Sequence, residues 1–200
     1  LKAQLVRADA RNLDRYLPLT LSADVRDWLR RSIRQGSATE VRMALAGDLA
    51  DFPFPDPKRG QFLVTFRAAG VTLDYAPGWP AITDLDANVR FEGTGMFVEA
   101  KKGRVLGTAL GTVKADIPQL GAADPMLTIT GEAAGPTSEF LAFVAASPVD
   151  RWTDHALRGM QAVGDGRLVL RIALPLGTPA RTKVEGDYEF LGNQVRFAGL

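Results

Sequence analysis

The residues best placed for acid–base chemistry are His155, the only histidine in the chain, and its neighbours Asp150 and Asp154. An imidazole beside a carboxylate can relay a proton, but a general base also needs a nucleophile or a held water within hydrogen-bonding reach. No motif around these residues supplies one, and a surface histidine on a helix is the preferred reading. With one histidine and no cysteine, a metal site would have to be built from carboxylates. Asp48 with Asp51, and Asp84 with Asp86, lack the alternating ligands and closing glutamate of a calcium loop, so turn and cap roles are expected. Gly93-Thr94-Gly95 and Gly164-Asp165-Gly166 could cradle a phosphate only between a strand and a helix. A strand pattern follows each, so both read as hairpin turns. Gly103, Gly107 and Gly111 stand four apart, but Lys101, Lys102, Arg104 and Thr108 exclude a membrane helix-packing motif. They read as strand and turn positions, with room for a bulge. Trp79, in Pro77-Gly78-Trp79-Pro80, reads as a loop residue that staples its loop to the core in preference to binding a ligand. The inventory yields no catalytic cluster and no cofactor motif, so the chain reads as non-enzymatic.

The elements that would position such groups are dominated by strands. Alternation of period two runs through Val41, Met43 and Leu45, then Phe62, Val64 and Phe66, then Val71, Leu73 and Tyr75. It continues through Val89 and Phe91, Met96 and Val98, Val113 to Ile117, and Leu127 with Ile129. Leu168, Leu170, Ile172 and Leu174 set against Arg167, Val169, Arg171 and Ala173 form the clearest case, followed by Val184 to Phe190 and a last pair, Val195 and Phe197. Alternate side chains of a strand share a face, so each run has one apolar and one wetter side. Turn signals at Pro57 to Gly60, Pro77-Gly78, Gly93 to Gly95, Lys101 to Gly103 and Gly192-Asn193 separate the runs and predict a meander of about ten to twelve antiparallel strands. Three helical stretches interrupt it. One is short, near Asn12 to Tyr16, and ends at Pro18. A second covers residues 23–35, with Ser22 or Asp24 as cap and Gly36 as stop. The third region, 137–163, starts at a Thr137 or Ser138 cap, breaks at Pro148, and resumes in a helix carrying Trp152, Ala156 and Met160.

Composition narrows the function classes. The 200 residues carry a net charge of +1, and the 24 lysines and arginines form no basic block, which gives nucleic-acid binding no support. The lack of cysteine fits a reducing cytosol or a periplasm. No apolar run approaches the ~18–20 residues of a membrane-spanning helix. Both ends read as internal to a longer polypeptide, and no linker divides the 200 residues, so one segment is expected. The apolar strand face is then the remaining candidate. Periodicity alone favours an ordinary closed core over an open, partly covered sheet whose face would be a binding surface.

That preference is reversed by a resemblance. GDLADFPF from Gly47, the stretch from Phe62 to Leu120 with its Gly78-Trp79-Pro80 loop, LTITGEAAGPTSEFLAFVAASPV and GDGRLVLRIALPL follow one another in an order that resembles the periplasmic region of the YhdP family, within the AsmA-like group of Gram-negative envelope proteins. LDRYLPL followed by VRDWL fits as well. The resemblance implies a mainly β fold with a few helices (α+β): an elongated, curved antiparallel sheet forming a hydrophobic groove, with helices packed against it. It implies a periplasmic portion of an inner-membrane-anchored protein, related to bridge-like lipid-transfer proteins, that moves phospholipid between inner and outer membranes. Phospholipid, the inner membrane through a region outside this sequence, and outer-membrane components are the implied partners, and no catalytic residue comes with it. Val64, Phe66, Leu73, Tyr75, Val89, Phe91, Leu168, Leu170 and Ile172 are the residues expected to form the greasy face. The rival reading is a non-catalytic structural or interaction scaffold in outer-membrane biogenesis, with a closed core and partners recruited by exposed edges or the 137–163 helices.

Overall fold

The computed structural model describes residues 1–15 and 23–197. Nine strands form one curved, unclosed antiparallel sheet in which each strand pairs with its sequence neighbours. They are β1 (Lys2–Asp9), β2 (Ile33–Gly47), β3 (Gly60–Leu73), β4 (Ile82–Glu92), β5 (Gly95–Val105), β6 (Thr108–Ile117), β7 (Met126–Pro136), β8 (Met160–Pro175) and β9 (Lys183–Phe197). Helices α1 (Ala23–Ser32), α2 (Thr137–Ala145) and α3 (Val149–Trp152) all lie in connections at one end of the strands, the helix rim. The connections at 48–59, 93–94, 118–125 and 176–182 make the opposite, loop rim. Eight inter-strand gaps of about 4.8 Å extend the sheet roughly 38 Å across its strands.

Nine strands replace the expected ten to twelve because several glycines read as turns lie inside strands. Lys101 to Gly103 lie within β5, Gly164 to Gly166 within β8, and Gly192-Asn193 within β9. Bulges absorb the irregularity that a turn would otherwise take up. Pairing shifts between Thr39 and Arg42, Ala68 and Val71, Thr83 and Ala87, Leu110 and Val113, and Val163 and Asp165. These shifts fall in the half of the sheet nearer the helices, where each adds local twist and bends the sheet. Gly93-Thr94 is a true two-residue hairpin, with Glu92 opposite Gly95 and Gly93 at φ 53°.

The helices are shorter than the sequence pattern suggests. α1 stops at Ser32, and Ile33 to Gly36 begin β2, where Gly36 takes φ 127° against Val71. A 3₁₀ helix covers Ala10–Arg15, while Tyr16, Pro18 and Ser22, expected to end one helix and cap the next, lie outside the described residues. α3 ends at Trp152 because Asp154 and His155 adopt left-handed φ of 49° and 60°, which no helix continues. Ala156 therefore lies in a turn and Met160 opens β8. Neither Thr137 nor Ser138 caps α2. Thr137 is its first residue, and its hydroxyl is engaged by Tyr188 and Asn193 of β9.

Candidate trough

The register sets adjacent rows of side chains on one face of the sheet. Phe66, Val89, Val98, Ala115, Ile129, Ile172 and Val184 are successive partners from β3 to β9. Towards the loop rim lies a row of Met43, Val64, Phe91, Met96 and Ile117. Towards the helix rim lies a row of Ala68, Ala87, Ala100, Val113, Gly131, Leu170 and Gly186, then Ala133, Leu168 and Tyr188. None of these residues is charged. Small side chains in the Ala68–Gly186 row leave room for the sheet to fold over this face, and a Cβ on Gly186 would already lie 3.1 Å from Leu170 Cδ1. The opposite face carries the charges: Arg67, Asn88, Glu99, Lys114, Thr130, Arg171 and Glu185 partner one another in turn. Arg167 pairs there with Glu132 at 2.5 Å, and Arg90 covers the Phe97 ring at 4.4 Å.

Seven of the nine residues expected on the greasy face lie in these rows: Val64, Phe66, Val89, Phe91, Leu168, Leu170 and Ile172. All are half-buried, shielded by neighbours yet still reached by solvent. Leu73 ends β3 opposite Ile82, beyond two bulges, and Tyr75 has left the strand altogether. Tyr75 packs against Trp79 in the β3–β4 loop, and burial pushes its phenol pKa up to about 12. Val98, Ala115, Ile129 and Val184 belong to the same row as Phe66; the alternation that flagged Phe66 flags them equally.

The face is not a closed core. Among the described residues no large side chain is fully buried, and the buried apolar set is confined to Phe54, Ala87, Ala100, Ile117 and Ala162. A compact chain of 21.6 kDa would expose about 9,200 Å². This one exposes 13013 Å².

The helix rim is held by rings. Trp79 meets Tyr75 at 6.2 Å, Phe143 of α2 at 5.9 Å and Trp152 of α3 at 5.6 Å. This stack joins the β3–β4 loop to the helices across the tops of β5 and β6, so Trp79 does staple its loop, though to helices and not to a core. Trp28 Nε1 donates to the Tyr75 carbonyl at 3.2 Å, and Gly107 N donates to Glu139 Oε2 at 2.9 Å. Phe140 stands edge-on to Tyr188 at 5.1 Å, and the Tyr188 hydroxyl donates to Thr137 Oγ1 at 2.8 Å. Sequence spacing gave no signal for these contacts, which, apart from Tyr75 with Trp79, join segments distant in the chain.

The loop rim is knitted just as continuously. Phe54 is 3 % exposed, seated against Gly47 and Gly60, and Phe52 lies on the trough residue Phe62 at 5.1 Å. Leu120 N donates to the Thr94 carbonyl at 2.8 Å, and Asp124 accepts from Gly177 N at 2.7 Å and Thr178 Oγ1 at 2.6 Å.

The acid–base candidates hold a turn. His155 Nδ1 lies 2.8 Å from Asp150 Oδ2, but Arg158 Nη2 occupies the same oxygen at 2.6 Å. Arg158, and secondarily His155, holds the Asp150 carboxyl below the usual carboxylate range. Asp154 makes no part of this cluster. Asp48 accepts from Ala50 N at 3.0 Å as a cap, Asp51 pairs with Arg59 at 2.8 Å, and Asp86 accepts from Gly70 N at 2.8 Å. Among the described residues no group of acids and histidine is arranged to hold a metal ion, and no helix is long and apolar enough to cross a membrane.

Fold and face together define an open apolar trough, a single curved sheet greasy within and charged without. The model of the YhdP protein family matches residues 1–200, and the chain belongs to that family. It is 26% identical over 163 residues to the intermembrane phospholipid transporter YhdP of Escherichia coli (strain K12), an alignment that covers 81% of this chain and 13% of that relative. The chain thus spans only a small part of the relative's length. No solved structure matches it.

Proposed function

We propose that this chain is a non-catalytic segment of a lipid conduit that carries phospholipid between the inner and outer membranes of a Gram-negative envelope. The observation that carries this reading is the unbroken, uncharged row from Phe66 to Val184, spanning seven strands and left half-open to solvent. Acyl chains need a continuous surface from which water is excluded, whereas head groups remain hydrated. An open apolar face this large marks a binding surface in a water-facing protein. The related protein's role as an intermembrane phospholipid transporter supports the same ligand. At about 38 Å the trough is too short to join two membranes, so it serves as one section of a longer path. The periplasm is the compartment this assigns, with membrane anchoring and outer-membrane contacts supplied elsewhere in the intact protein. A scaffold with a closed core would bury the large side chains that are half-exposed here. Native mass spectrometry of the purified protein tests the reading: co-purified phospholipid is expected, and a protein that stays lipid-free after incubation with phospholipid vesicles would exclude it.

A further inference from the structure

We propose that the two rims of the trough are not equivalent, and that a phospholipid lies along the strands with its phosphate at the helix rim and its acyl ends towards the loop rim. This rests on the conduit reading. The floor offers a phosphate nothing: its rows hold no charged residue, and the phenol of Tyr188 is already engaged with Thr137. A charged head group placed there would lose its hydration without a partner, so it must sit at the mouth, beside one rim. The rims differ in chemistry. The helix rim carries all three tryptophans of the chain, Trp28, Trp79 and Trp152. Indoles settle where apolar surface meets water, with the ring in one phase and the N–H in the other. Trp152 is 68 % exposed, and Arg151 beside it is exposed and forms no ion pair among the described residues. A guanidinium next to an indole suits a phosphate that is held at an interface. The loop rim instead presents aliphatic and phenyl groups, Leu49, Phe52, Leu120 and Leu176, with charges of both signs among them: Asp48, Asp56 and Asp124, and Lys58, Arg59 and Arg181, of which Arg59 pairs with Asp51. That rim has no indole at the water boundary and extends the apolar floor, since Phe52 rests on Phe62. The dimensions agree. Leu168 to Leu174 of β8 rise about 20 Å, and the acyl layer of one bilayer leaflet is about 15 Å thick. A chain therefore fits along the strands.

The test uses the intact protein loaded from phosphatidylethanolamine vesicles doped with one of two photoreactive analogues, a diazirine on the head-group amine or at the acyl terminus. Cross-linked peptides are mapped by mass spectrometry. The head label should mark the helix rim (residues 23–34, 74–81 and 137–158) at least fivefold over the loop rim, and the acyl-end label should mark 48–59, 118–125 and 176–182 with the reverse bias. Arg151→Glu should lower head-label yield at α3 severalfold and leave the acyl-end pattern unchanged, with Arg151→Lys close to wild type. Equal labelling of both rims by both probes, or the reverse assignment, overturns the orientation while cross-links at Phe66 or Leu170 keep the conduit reading intact. Absence of cross-links anywhere on the trough overturns both.

Discussion

Leu170 separates an open lipid trough from a closed core more sharply than any other residue. It stands between Gly131 and Gly186 in its row, half-buried on the greasy face. In Leu170→Asp a hydrated carboxylate replaces the isobutyl group. Full burial of a leucine is worth about 1.5–3 kcal/mol, so losing a half-buried one costs roughly 1–1.5 kcal/mol. At about 2–4 °C per kcal/mol for a chain of this size, Tm falls by roughly 2–6 °C and the protein stays folded. In a closed core the same carboxylate would be stranded at a cost of several kcal/mol, comparable to the total stability of about 5–15 kcal/mol. Lipid feels the opposite contrast. An acyl chain lying over Leu170 would have to desolvate the new charge, and each 1.4 kcal/mol of that penalty is a factor of about ten in occupancy. Lipid recovered by extraction and mass spectrometry should therefore fall at least tenfold while the circular dichroism melt moves by only a few degrees. Val169→Asp, one residue away on the charged face, should change neither. An unfolded Leu170→Asp beside a folded Val169→Asp would show that the face is a closed core. A folded Leu170→Asp with undiminished lipid would remove the trough from the path.

Three other outcomes follow from the packing. Trp79→Ala deletes the ring that joins Tyr75, Phe143 and Trp152; with a cost of about 2 kcal/mol, amide exchange across 137–152 should quicken at least tenfold, with β7 and β8 protected as before. Gly166→Ala places a methyl group where the Tyr188 phenol lies, which should cost about 1–3 kcal/mol, and adding Tyr188→Phe should recover part of it by chemical denaturation. Asp150→Asn removes the carboxylate that Arg158 and His155 share. Because the folded pKa of Asp150 is depressed, its contribution is present above the unfolded value of about 3.9 and is lost as pH falls through the lower folded value. The urea midpoints of wild type and Asp150→Asn should thus differ equally at pH 7 and pH 5 and converge only below pH 4; convergence already at pH 5 would contradict the assignment.

How far the sequence could be read depended on whether neighbours in space were neighbours in the chain. Alternation is local, so it assigned Val64, Phe66, Val89, Phe91, Leu168, Leu170 and Ile172 to one side of their strands, and the register joins them across the sheet. Tyr75 failed because a run of three alternating residues did not reveal that β3 ends at Leu73. The glycines at 164 and 192 read as turns in the sequence because a bulge and a turn need the same backbone freedom, and only the partner strand decides between them. The helix over 156–160 failed for a related reason: Asp150, bound to His155 and Arg158, closes a turn that helical spacing does not encode.

By itself, then, the amino-acid sequence determined that the chain is mostly strand and which side of each strand is apolar. Whether the surface is closed over or left open was decided only in three dimensions. The bulges that bend the sheet, the alanine and glycine row that lets it fold, and the Trp79–Phe143–Trp152 stack that fixes the helices along one rim depend on strands and loops brought together from distant parts of the chain. Period two gives the greasy face its direction; curvature and the seat of the helices leave it uncovered as a trough.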